Sequence, residues 1–157
     1  MSLITRFDDD LKKAMKASER AKISVLRMVK AAVKNRQIEK GGDLTDDEII
    51  AVLSSMVKQR RESVEQFTKA GRMDLVHGED QEIAIIQTYL PEQLKSDDLD
   101  RIILEAINEA SARTAQDMGK VMRVLMPRVR GVADGKYVNQ RVKELLEARV
   151  ASAHNEA

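Results

Sequence analysis

"VLMPRVRGVADGKYVNQRVKELL", Val124 to Leu146, contains two helical patterns interrupted by Pro127, Gly131 and Gly135. Before the interruption, Met118, Val121, Met122 and Leu125 recur at three- and four-residue steps. After it, Val138, Val142, Leu145 and Leu146 recur in the same way. Such spacing lays apolar side chains along one face of an α-helix, whereas a half-buried strand alternates at every second residue. Pro127 has no amide to donate and is expected to kink or end the first helix. Asp134 suits the N-cap of the second. The stretch is therefore a glycine-relaxed turn between two helices.

The same period extends back along the chain. A first helix is expected from Leu3 to about Ala17, through Phe7, Leu11 and Ala14, and a second from about Glu19 to Glu39 on Ile23, Leu26, Val29 and Val33. Gly41-Gly42 stops the second helix. Thr45 and Glu48 form a capping box for a third, which runs to about Ala70, with Gly71 where a left-handed stop belongs. A fourth covers roughly Met73 to Leu90, with Gly78 as a possible break. Leu90-Pro91 marks a boundary, because proline disfavours helix in the residue before it. Beyond it, Ser96 is expected to cap a fifth helix to about Arg113, and Thr114 a sixth. No period-2 run of β-branched residues occurs. The expected fold is all-α: an N-terminal four-helix bundle over residues 1–90, then a C-terminal three-helix bundle over residues 91–157.

Composition agrees with that class. The chain has 157 residues, 43% hydrophobic, 34% charged and 3% aromatic, with only two prolines, a mixture that favours helix over strand and packed core over disorder. It has no cysteine, which excludes disulfides, thiolate nucleophiles and zinc-thiolate sites and fits a reducing compartment. The opening MSLITRFDDD is acidic where a signal peptide needs an apolar core, and the charge-free stretch Ile49 to Val57 is far shorter than the roughly 18 residues of a membrane span. A soluble, cytoplasmic protein without a membrane partner is the expectation.

The sequence contains no nucleophile elbow, Walker A loop or dinucleotide fingerprint, and His77 and His154 have no ligand-spaced partner. The acids at Asp46 to Glu48 and at Asp97, Asp98 and Asp100 sit where helix starts favour negative charge. No catalytic residue, metal or cofactor is expected. Charge distribution is more informative than the net +1. Arg20 to Lys40 holds seven bases and one acid, as does Lys120 to Lys143, whereas Asp74 to Glu109 holds ten acids and two bases. Lys58 to Arg61 reads as a solvated face that Glu62 and Glu65 can pair with.

Two readings of the basic turn stand side by side. Lys120, Arg123, Arg128, Arg130, Lys136, Arg141 and Lys143 are either a solvated surface neutralised by the acidic fifth helix or a site for phosphate. Few acids lie at the i+4 positions that would pair these bases locally. Gly131 and Gly135 would let backbone amides approach an anion near a helix N-terminus.

The motif Met118-Gly119-Lys120-Val121-Met122, the run Arg130 to Lys136, Val138-Asn139 and Leu145-Leu146 resemble the signature of the GatB/YqeY family. LRMVKAA from Leu26, KQRRESVEQFTKAGRMDL from Lys58 and TYLPEQL from Thr88 resemble its stand-alone YqeY-like members, so the likeness covers nearly the whole chain. In that family the C-terminal module also forms the helical tail of the B subunit of glutamine-dependent tRNA amidotransferases, which contacts tRNA outside the acceptor end. The resemblance associates the chain with carbon–nitrogen ligases that use glutamine as amido donor, and participation in that ligation is one alternative reading of its function. It implies a tRNA-binding accessory without the phosphorylation cradle or the amidase site, hence without chemistry of its own. The binding residues implied are Lys120, Arg123, Arg128, Arg130, Gly131, Gly135, Lys136, Asn139 and Arg141. Asn139 either contacts RNA or pins the turn through backbone carbonyls. The partners implied are tRNA or another structured RNA, or, in the alternative, an aminoacyl-tRNA synthetase or amidotransferase on which the module docks.

Overall fold

The computed structural model describes residues 1–155, and among them the regular structure is seven α-helices and one 3-10 turn, with no strand. The chain divides into two compact units, Met1–Pro91 and Glu92–Ala157. The first contains α1 (Leu3–Lys16), α2 (Arg20–Lys40), α3 (Asp46–Lys69) and α4 (Met73–Gln87). The second contains α5 (Ser96–Glu109), a 3-10 turn (Ala115–Asp117), α6 (Met118–Val129) and α7 (Gly135–Asn155).

In the first unit the apolar stripes converge on a core of Phe7, Val25, Leu26, Val29, Ile49, Leu53, Ile83, Ile86 and Tyr89. Phe7 and Tyr89 meet edge to face at 5.0 Å, the arrangement that ring quadrupoles favour. The Tyr89 hydroxyl donates to Asp10 Oδ2 at 2.6 Å, so the one polar atom of this largely buried ring is satisfied. Burial, then the bonded Asp10 carboxylate, push the Tyr89 phenol well above its ordinary value. Thr45 and Glu48 close the expected capping box, and Gly41 and Gly71 take the left-handed backbone at φ 79° and 70°.

Four local expectations need correction. First, α4 passes through Gly78 unbroken, because Val76, Ile83 and Ile86 bury on the same helix and outweigh one residue's lost propensity. Second, of the kink or end expected at Pro127, an end at that residue does not occur: Pro127 lies inside the last turn of α6, which runs on to Val129. Proline lacks an amide to donate, yet the Arg130 amide still donates to the Met126 carbonyl at 3.0 Å. Third, Ser96 is the first residue of α5 and caps nothing; Lys95 is at the cap position, without a side-chain bond. Thr114 caps the 3-10 turn, with Asp117 completing the box, and α6 starts only at Met118. Fourth, Arg60 is not on a solvated face. Its side chain is 12% exposed and donates to Glu82 on α4 at 2.9 Å.

The core of the second unit is Leu99, Ile103, Ala106, Ile107, Val121, Leu125, Val129, Val138, Val142 and Leu146. Three helices share these residues, so the α6–α7 turn is held from both sides by buried side chains.

Candidate nucleic-acid interface

The turn begins where α6 ends. Arg130 is extended (φ −60°, ψ 125°) and Gly131 follows at φ 81°, a conformation that glycine adopts without Cβ strain. The amides of Val132 and Ala133 both donate to the Val129 carbonyl at 3.1 Å, closing the turn on itself. From the start of the unit, Gln93 Nε2 donates to the Gly131 carbonyl at 2.9 Å and the Leu94 amide to the Val132 carbonyl at 2.8 Å. Gly131 is buried. Its glycine character serves the chain reversal at this turn.

The N-terminus of α7 is likewise occupied from within. Asp134 Oδ1 accepts from the Lys136 amide at 3.3 Å, and the Asp134 carbonyl accepts from Val138 at 2.9 Å. This carboxylate fills the anion slot that positive helix ends provide. Gly135 is the first helical residue, and a Cβ added there would meet nothing within 4 Å, so its surroundings are open.

The basic side chains separate into two groups. Arg141 turns inward and grips Asp100 of α5, Nε to Oδ1 at 2.7 Å and Nη2 to Oδ2 at 2.8 Å, while Nη1 reaches Glu144 at 2.9 Å. The hydrogen bonds from Arg141 hold the Asp100 carboxyl below the usual carboxylate range, against the opposing pull of partial burial. Arg128 Nη2 donates to Glu109 Oε2 at 2.6 Å. Lys120 lies 3.8 Å from Asp117, a looser pairing. Arg141 and Arg128 are therefore neutralised by α5, and Arg141 is a structural clamp.

Arg123, Arg130 and Lys143 remain exposed and form no ion pair among the described residues. Lys136, Asn139 and Lys143 recur at three- and four-residue steps and share one solvent-facing side of α7. Asn139 is exposed. Tyr137, absent from the residues expected at the site, is 45% exposed and leaves an aromatic face beside this row. Its signal was available: it is the one aromatic residue within the basic segment. Among the described residues no group of three or more His, Cys, Asp or Glu is placed to hold a metal, and no helix is long and apolar enough to cross a membrane.

Comparison with known proteins bears on compartment and family. The chain is 26% identical over 152 residues to "Altered inheritance of mitochondria protein 41, mitochondrial" of Pyrenophora tritici-repentis, covering 94% of this chain and 82% of that protein. Proteins of the same name from Lachancea thermotolerans and Saccharomyces cerevisiae are 36% identical over 88 residues and 35% identical over 92. Those matches cover 55% and 58% of this chain but only 47% and 50% of the relatives. These names correct the cytoplasmic expectation, since the relatives are mitochondrial proteins. The absence of cysteine does not distinguish one compartment from another. A family model described as "Yqey-like protein" matches residues 4–146, nearly the full length, and by that match the chain belongs to the YqeY family, whose domain is of the GatB/YqeY type.

Proposed function

We propose that the second unit is an RNA-binding module for tRNA or a similarly structured RNA, and that it contributes binding without chemistry of its own. One observation carries the reading: Arg123, Arg130 and Lys143 are exposed around the α6–α7 turn, with no acid among the described residues to neutralise them. Phosphate oxygens are the partners such cations take from a nucleic acid, and Tyr137 offers a face on which an unpaired base can stack. Of the residues expected at the site this reading rests on Arg123 and Arg130, and it adds Tyr137 and Lys143 to them. In compartment, the reading follows the relatives' names to the mitochondrion.

The test is filter binding of the full chain to bulk tRNA over a salt series. With about three phosphates neutralised, log affinity should fall against log salt with a slope near −0.9 per phosphate on duplex and less on single strands. A combined Arg123→Gln, Arg130→Gln, Lys143→Gln variant should lose most of the binding and most of the slope. Absence of binding at low salt, or a triple variant that binds like the parent, rejects the proposal.

A further inference from the structure

The first unit has a second cationic surface, independent of the RNA reading. Arg20, Arg27 and Lys34 follow one another at seven-residue steps along α2, which keeps them on one side of the helix. All three are exposed and have no ion-pair partner among the described residues, whereas Lys30, Arg36 and Lys40 are paired to Asp8, Glu39 and Glu48. Where α1 turns into α2, Arg20 and Arg27 flank an open groove of about 630 Å³ whose apolar lining is Met15, Ile23 and Met28. Met15 is 52% exposed, and farther along the same side of α2 Ile38 is 69% exposed. A solvated surface that served only solubility would not align its exposed apolar side chains with its unpaired cations.

We infer that this side of α2 docks an acidic amphipathic helix of a partner protein. Its apolar residues would enter the groove of Met15, Ile23 and Met28, and its carboxylates would meet Arg20, Arg27 and Lys34. Charge complementarity selects the occupant: cations at heptad spacing match acids repeating along a helix, and a methionine-lined groove adapts to varied apolar side chains. A nucleic acid would meet these cations through its phosphates but would leave the apolar groove of Met15, Ile23 and Met28 unfilled. A bilayer requires a continuous apolar helix face projecting beyond the charges, whereas here Ile23 and Met28 are half-buried in the groove and Met15 and Ile38 are separate exposed side chains.

The full chain, carrying methionines with ¹³C-labelled methyl groups, tests this by titration with a synthetic helical peptide of about 18 residues, leucine on one face and glutamate on the other. The Met15 and Met28 methyl resonances should shift with the acidic peptide and not with its lysine counterpart. Arg20→Glu combined with Arg27→Glu should weaken the peptide by roughly tenfold or more, with thermal unfolding unchanged, and Lys143→Glu should leave affinity unaltered. The inference is overturned if the peptide moves neither methyl or the double reversal leaves its affinity intact. It is also overturned if anionic phosphatidylglycerol vesicles or bulk tRNA perturb these methyls more strongly than the peptide does. Concentration-dependent shifts in the chain alone would assign the surface to a second copy and equally overturn it.

Discussion

Arg141 and Asp100 are joined by two near-parallel hydrogen bonds of 2.7 and 2.8 Å, which tie the second turn of α7 to the second turn of α5. The planar guanidinium matches the carboxylate in a way a lysine ammonium cannot. Both side chains are about 30% exposed or less, so the pair is partly shielded from solvent, unlike a freely hydrated surface pair. Arg141→Gln is expected to lower the thermal midpoint of the second unit by a few degrees, and Arg141→Lys to restore only part of the loss. Neither should change the salt slope of tRNA binding. A steep loss of slope in Arg141→Gln would instead place this side chain on the RNA.

The same pair governs part of the acid sensitivity. Arg141 depresses the folded-state titration of Asp100 below its ordinary value of 3.8. A depressed carboxyl contributes stability in full above that ordinary value and loses it as pH falls through the folded value. The midpoint difference between parent and Arg141→Gln should thus be full at neutral pH and shrink once pH drops below 3.8, as thermal melts across pH 2 to 7 would record.

On the proposed RNA face the side chains should act separately. Arg123→Gln, Arg130→Gln and Lys143→Gln should each weaken binding similarly for all RNA sequences and reduce the log–log salt slope by about one. Tyr137→Ala should weaken binding by about 1–3 kcal/mol with the slope retained, because stacking releases no counterions. Filter binding at several salt concentrations separates the two behaviours.

Gly78 sits inside α4 with nothing within 4 Å of where a Cβ would stand. Its backbone is helical, so the side chain of alanine meets neither strain nor collision. Gly78→Ala should raise stability by about 0.5–1 kcal/mol, visible as a higher denaturant midpoint with an unchanged m-value.

Thr45 accepts from the Glu48 amide at 3.2 Å, and Glu48 Oε2 accepts from the Thr45 amide and from Lys40, both at 2.7 Å. Thr45→Ala should cost about 1 kcal/mol in the same denaturation assay, and Thr45→Ser much less. An alanine variant as stable as the parent would show that the rest of this network caps α3 unaided.

Much of the helical framework was legible in the sequence because its causes are local. Thr45 with Glu48, Gly41, Gly71 and Asp134 act within one turn of their own positions, and the stripe Leu99, Ile103, Ala106, Ile107 is a property of helical period alone. Where local rules competed with packing they were less reliable: Gly78 and Pro127 both lie inside helices that neighbouring buried residues hold together.

The candidate site was legible only as a pool of basic residues. Which of them stay uncompensated depends on pairings such as Arg141 with Asp100, Arg128 with Glu109 and Arg60 with Glu82, separated by 41, 19 and 22 positions. Such distances along the chain are bridged only when helices pack, and packing is decided by the whole apolar surface together. The order of residues alone thus dictated an all-α chain, its helix signals and the sign of its charged segments. Which cations are neutralised and which still face outward was settled by the packed helices, because charge compensation depends on separation in space and not on position in the chain.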